Sequence, residues 1–388
     1  MKNKKYFLSK FLWLLLFFNS CTTARRIIGF SNQVQTTDQL HFIGEYILPH
    51  SLQFLHTTVG GLSGIDYDAG RNLYYLISDD RSAINPARFY TAKIFLNAAG
   101  IDSVQFADVK SLLQKNGAVY PDAKQDPFHT PDPEAIRYNF LKDQLVWSSE
   151  GERIVKKDQV VLEDPAVISI NSKGEYKDSF ALPANMHMHT TENGPRQNGV
   201  FEGMSFSNDY RYLFVNVEEP LYEDGPRAGL NDSTGWIRII KYDALTNLPV
   251  AQYAYQIDPV AYPPVPANEF KINGVPDILY AGNNKLLVIE RSFSTGRLAC
   301  TIKIFLADLS DATDISAVNS IPRQTTIIPA QKKLLLNMDK LGIFIDNIEG
   351  VTFGPVLPNG HQSLVFVADN NFNQSQKNQF LLFEIIPQ

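Results

Sequence analysis

Val200-Phe201-Glu202-Gly203-Met204-Ser205-Phe206-Ser207-Asn208-Asp209-Tyr210-Arg211-Tyr212-Leu213-Phe214-Val215-Asn216-Val217-Glu218-Glu219 is the stretch that decides the fold. Residues 204–207 fit a short first strand. Asn208 and Asp209 are turn formers, because both tolerate left-handed backbone and bond their own main chain. Residues 212–217 are dense in β-branched and aromatic side chains, as a strand requires. In an antiparallel hairpin the start of the first strand and the end of the second share one sheet edge. Glu202 and Glu218 therefore meet at one end of the sheet.

The same pattern recurs along the chain, and a repeat outranks any local signal. Five segments carry a small polar or acidic residue, a small or apolar residue, a strand, a turn, an apolar strand and an acid. They begin at Ser63-Gly64-Ile65, Glu134-Ala135-Ile136, Glu202-Gly203-Met204, Asp277-Ile278-Leu279 and Glu349-Gly350-Val351. Their second strands end at Asp79, Glu150, Glu218, Glu290 and Asp369. The starts lie roughly 70 residues apart, room for about four strands per repeat, which is one propeller blade. Further strands are expected at 88–95 and 101–108, 166–170 and 175–182, 236–242 and 250–257, 301–306, and 380–386. The partner of 301–306 is not legible, and 309–341 reads as a helix or an extra strand.

The fifth copy lacks a fourth strand, and residues 42–49 near the N-terminus supply one. Closing the ring with the two chain ends removes an exposed sheet edge. The expected fold is all-β: a single propeller of five four-stranded blades, with six as the alternative count. Independent hairpins in a sandwich are the competing arrangement.

Residues 1–21 read as a targeting segment. Lys2, Lys4, Lys5 and Lys10 precede an apolar run at 11–18 that is too short to span a bilayer. The run ends in Phe18-Asn19-Ser20-Cys21, which resembles a bacterial lipoprotein signal in which Cys21 is lipidated, with an ordinary secretory signal cut nearby as the alternative. The expectation is an exported protein, anchored by lipid to the cell envelope, with a tether at 22–39 and the propeller at 40–388. Cys300 is then left alone and no intramolecular disulfide forms. The formal charge of −6 and the lack of a basic stripe argue against nucleic-acid binding. A monomer is expected.

The chemistry lies in the acids. Asp79, Glu134, Glu150, Glu202, Glu218, Asp277, Glu290, Glu349 and Asp369 should gather at one mouth of the ring. Crowded carboxylates raise one another's pKa, and cations relieve the repulsion. An oxygen-only donor set suits a hard ion such as calcium. The bland alternative is that each acid bonds turn N–H groups and locks its own blade. Arg81, Arg88, Arg137, Arg153 and Arg291 lie beside the motifs and suit either a substrate anion or these same acids. His187 and His189 read as an exposed loop without a third ligand. Gly203-Met204-Ser205-Phe206-Ser207 is not a nucleophile elbow, since Ser205 falls within a strand.

Ser63-Gly64-Ile65, Asp132-Pro133-Glu134-Ala135-Ile136 with Trp147-Ser148-Ser149-Glu150, Phe201-Glu202-Gly203-Met204 with Val217-Glu218, and Asn347-Ile348-Glu349-Gly350-Val351 with Ala368-Asp369-Asn370 resemble the phytase-like family, known as esterase-like activity of phytase. Arg88-Phe89-Tyr90 fits as well. The resemblance covers residues 40–388 and implies a phosphoester hydrolase. In that reading the carboxylates hold calcium, Glu202 and Glu218 act at the reacting centre, and Arg81, Arg137 or Arg291 holds a small phosphoester substrate. Ser63 departs from the pattern by replacing an acid. A non-catalytic binding propeller and a calcium-dependent lactonase or esterase stay open as alternatives.

Overall fold

A computed structural model describes residue 34 and residues 38–231, 235–323 and 326–387. The targeting segment, Cys21 and most of the expected tether lie outside the described residues. Five four-stranded antiparallel blades surround a common axis. Blade 1 runs Leu62–Asp68, Leu73–Ser78, Arg88–Asn97 and Gly100–Ser111 from axis to rim. Blade 2 is Pro133–Asn139, Gln144–Ser149, Ala166–Ile170 and Tyr176–Ser179. Blade 3 is Phe201–Phe206, Tyr212–Val217, Trp236–Asp243 and Leu248–Gln256. Blade 4 has a split inner strand, Lys271–Gly274 with Ile278–Tyr280, followed by Lys285–Ser294, Thr301–Asp308 and Gln331–Asn337. Blade 5 is Asn347–Val356, Gln362–Asp369 and Asn378–Ile386, completed by Gln39–Leu48 from the other end of the chain.

That closure follows the expectation from residues 42–49, with Gln39 opposite Ile386 and Leu48 opposite Asn378. The expected tether is shorter than read. Val34 is already buried and donates its N–H to the Ala281 carbonyl at 3.0 Å. The unplaced partner of 301–306 is Gln331–Asn337, reached after a long excursion through 309–330.

The middle of each blade's second strand is mostly apolar because both of its faces are covered. In Leu73–Ser78, Tyr74 and Leu76 pack against Val365, Val367 and Leu382 of blade 5. Tyr75 and Ile77, pointing the other way, pack against Ile136, Tyr138 and Trp147 of blade 2. The period of two along one strand thus builds two separate inter-blade cores. Each aromatic or aliphatic side chain so buried contributes about 1.5–3 kcal/mol.

The inner strands of blades 1, 2, 3 and 5 share a feature that positions the site. Pairing register shifts between Leu62 and Gly64, Pro133 and Ile136, Phe201 and Met204, and Ile348 and Gly350. In blade 4 the break between Gly274 and Ile278 falls at the same level. A bulge re-aims the residues it contains. Here it turns Glu134, Glu202 and Glu349 toward the axis end of the ring.

Below that level one ion pair ties all five blades together. Arg137 of blade 2 donates through Nε to the Met204 carbonyl of blade 3 and through Nη1 to the Ile65 carbonyl of blade 1. Its Nη2 reaches both Asp277 oxygens of blade 4 at 2.7 Å. Asp277 in turn accepts the Val351 N–H of blade 5 at 2.8 Å. Arg137 and Asp277 are 2% and 1% exposed.

Candidate functional site

The hairpin register locates the site. Ile65 pairs with Leu76, Ile136 with Trp147, Met204 with Val215, Ile278 with Val288 and Val351 with Phe366. Three residues beyond each second-strand partner stand Asp79, Glu150, Glu218, Arg291 and Asp369. Two residues before each inner-strand partner stand Ser63, Glu134, Glu202, Pro276 and Glu349. Four blades therefore present carboxylates at the mouth. Blade 4 instead presents a proline, Pro276, and the guanidinium of Arg291.

Two of the expected ring acids are displaced as a result. Glu290 sits one residue short of the ring position, and a shift of one residue moves a strand side chain to the opposite face. It accepts from Tyr255 Oη at 2.8 Å, Lys332 Nζ at 2.6 Å and Asn273 Nδ2 at 2.9 Å, away from the mouth. Asp277 is the axial partner of Arg137. Burial pushes its carboxyl up to about 6, against the pull of the Arg137 guanidinium. Arg137 does not face the mouth either. All its N–H groups are spent on main-chain carbonyls and Asp277, so it ties the ring together and has none left to grip a substrate.

The other seven acids converge. Burial raises the Asp79 carboxyl well above its ordinary range, and Glu349, Asp132 and Asp80 push the same way. Glu134 is raised by burial and by Asp132, Glu150, Asp79 and Glu349. Glu202 is raised by burial and by Glu150, Glu134, Glu218 and Glu349. Burial lifts Glu349 to about 8, with Asp369 and Glu218 adding to it. Asp369 rises through burial and Asp79. These carboxylates span blades 1, 2, 3 and 5, and each feels acids from other blades.

Arg291 bridges part of this charge. Its Nη2 donates to Glu218 Oε1 at 2.6 Å and its Nη1 to Glu349 Oε1 at 2.5 Å. Asn347 supports the bridge by donating Nδ2 to Glu349 Oε1 at 2.9 Å. Burial disfavours the Arg291 cation, and Glu349 and Glu218 overcome that to hold it firmly charged. Ser63, the neutral member of the series, donates Oγ to the Glu134 carbonyl at 2.7 Å.

On the blade 2 side the acids have less cationic cover. Asp132, Glu134 and Glu150 bring oxygens within 4.8 Å of one another. Asp132 opens the Glu134 motif but is not among the nine expected ring acids; it joins the set because it lies two residues before Glu134 at the bulge. Arg81 stands beside the trio, 3.4 Å from Asp132 and 3.0 Å from Glu152, with its side chain 29% exposed. The trio is all oxygen and contains no histidine or cysteine, the donor chemistry of a hard divalent cation. Arg88 is internal and pairs with Asp80 at 2.7 Å. Arg153 is committed to the His189 carbonyl at 2.9 Å and stacks on Tyr222. His187 pairs with Asp164 at 2.7 Å on an exposed loop. Ser205 Oγ accepts the Tyr280 N–H at 2.8 Å within its strand.

A search of curated proteins returns no match. Among solved structures, the chain is similar to the endo-arabinase from Bacteroides thetaiotaomicron, at 12% identity, over 89% of this chain and 98% of that one, with a TM-score of 0.42. It is also similar to the periplasmic gluconolactonase of Pseudomonas aeruginosa, at 11% identity, over 86% and 91% of the two chains, with a TM-score of 0.37. The pattern that defines the phytase-like family, described as esterase-like activity of phytase, matches residues 57–372. That match contains the axial ion pair, the bulges and all seven mouth carboxylates, and the chain belongs to the phytase-like family.

Proposed function

We propose that this protein is an exported, lipid-anchored hydrolase of phosphoesters that works with a divalent cation, calcium in the first instance, at the acidic mouth. The observation that carries the reading is the gathering of seven carboxylates from four blades around a single bridging arginine. Without cations this arrangement pits burial and mutual repulsion against ionisation. Locking a blade requires no such crowding.

Asp132, Glu134 and Glu150 would hold the cation, with Asp79 and Glu202 next to them. A bound divalent cation supplies charge that polarises a phosphoryl oxygen and acidifies water. Arg81, partly exposed at the edge of the trio, binds a non-bridging oxygen of the substrate. Arg291 keeps Glu218 and Glu349 apart from the reacting group by holding both. Burial and Glu150 raise the Glu202 carboxyl well above its ordinary range, which makes its ionised form the more basic. In its ionised form Glu202 would take the proton released as water attacks phosphorus, and would return it to the leaving alkoxide as the ester P–O bond breaks.

The test is turnover of a generic aryl phosphate by purified protein, beside a matched lactone, with calcium and then with chelator. The account expects phosphoester cleavage that chelator abolishes and that Glu134→Gln with Glu150→Gln removes. Lactone cleavage alone would move the assignment to a lactonase. No turnover of either, or turnover indifferent to chelator and to Glu202→Ala with Glu218→Ala, would sink it.

A further inference from the structure

The mouth is one face of the ring, and the opposite face carries a feature the proposed chemistry does not use. Pro133 pairs with Ser149 at the mouth end of its hairpin, and Asn139 with Gln144 at the far end. Trp236 pairs with Gln256 at the mouth end, and Asp243 with Leu248 at the far end. The turns at 140–143 and 244–247 therefore both lie on the face away from the acids. They abut, since Lys142 Nζ donates to the Ala244 carbonyl at 2.7 Å. On them Leu141 is 56% exposed and Leu245 66%, with Leu248 beside them at 53%. A lone exposed leucine is ordinary. Two on adjoining turns, with a third at the first residue of the next strand, make an apolar knob that calls for a cover.

The chain enters the ring at this same face. Gln39 pairs with Ile386 there, while Leu48 reaches the mouth end. Val34 is fixed by the Ala281 carbonyl, in the turn that follows Ile278–Tyr280 on that side. Twelve residues separate Cys21 from Val34. Fully extended, that connection reaches at most about 45 Å. A lipid at Cys21 would hold this face near the bilayer. The crowded carboxylates of the other face would be repelled by anionic headgroups.

We propose that the face bearing Leu141, Leu245 and Leu248 rests on the lipid bilayer, with the three leucines in the boundary between headgroups and acyl chains, and that the acidic mouth opens away from the membrane. The proposal rests on the lipid-anchor reading above.

The experiment uses the full chain, produced in a bacterial host that lipidates it and reconstituted into vesicles of phosphatidylethanolamine and phosphatidylglycerol. One fluorophore is placed at Leu245→Cys and, separately, at the exposed Ala123→Cys, in the loop that runs from Ser111 to Pro133, both of which lie at the mouth end of their blades. Cys300 is buried and stays unlabelled. The expected result is that the label at 245 is quenched by lipid-borne nitroxide and loses quenching by aqueous iodide, while the label at 123 behaves oppositely. A reversed pattern, or equal iodide quenching at both sites in protein that floats with the vesicles, overturns the proposal and leaves the anchor standing. Protein that does not float overturns both. Phosphoester turnover is read separately and depends on neither outcome.

Discussion

Replacing Arg137 with methionine should do more damage than any other single change at the axis. The guanidinium is 2% exposed and serves blades 1, 3 and 4 directly, with blade 5 reached through Asp277. Breaking one partner out of a buried ion pair costs about 3–5 kcal/mol. The carbonyls of Ile65, Met204 and Ile278 also lose a donor, at about 1–3 kcal/mol each where water cannot replace it. Asp277 recovers part of this by taking a proton, since its carboxyl already stands at about 6 with Arg137 present. A net loss of at least about 4 kcal/mol is expected, a large share of the roughly 5–15 kcal/mol typical of a domain. Asp277→Asn alone should also be costly, because it strands the guanidinium. The double variant should cost less than the two singles together by about 2 kcal/mol or more, the mark of a direct pair. Urea unfolding followed by circular dichroism measures all four proteins. A cost under about 1 kcal/mol for Arg137→Met, or strict additivity in the cycle, refutes the axial role.

Three further outcomes follow from the buried acids and their partners. Cation-stripped protein should lose stability as pH rises, because Asp277, Glu219 and Glu349 stand at about 6, about 7 and about 8, all raised first by burial. The folded state then binds more protons than the unfolded chain, so the stabilisation is complete below about pH 4 and is lost as pH climbs through 6 to 8. Melting temperature should fall across that window, and calcium at pH 8 should restore it. Arg291→Gln should destabilise stripped protein by about 3–5 kcal/mol by leaving Glu218 and Glu349 unbridged, with calcium recovering much of the loss; an unchanged melting curve would contradict the bridge. Glu290→Gln should leave turnover and calcium affinity as they are, since its partners are Tyr255, Lys332 and Asn273. An activity loss there, in folded protein, would reinstate it at the mouth.

Much of the architecture is legible in the repeat. In the first three copies the marked positions 63 and 79, 134 and 150, and 202 and 218 keep one spacing, and the structure keeps that register. The closing strand is legible for a similar reason, because a blade short of one strand needs a partner for its exposed edge. The fourth copy misleads. Its turn at 281–284 is shorter, and aligning by acidic residues picks Glu290 where pairing selects Arg291. Only the register of Ile278 with Val288 exposes the slip, and one residue changes which face the side chain takes. The outer strand Gln331–Asn337 is hidden by the length of the excursion before it. Arg137 reads from sequence as a partner for either a substrate anion or these acids, and its place as the one charged residue in the middle of the buried run 135–138 favours the second. A cation placed so has to find several acceptors, and the carbonyls at a propeller axis supply them.

The central claim is that the mouth acids gather to hold a cation. Calorimetric titration of calcium into chelator-stripped protein tests it most directly, comparing the parent with Glu134→Gln plus Glu150→Gln. Saturable binding by the parent, with affinity at least about tenfold weaker in the double variant (about 1.4 kcal/mol), is the predicted result. No heat of binding in the parent, or equal affinity in both proteins, would contradict it.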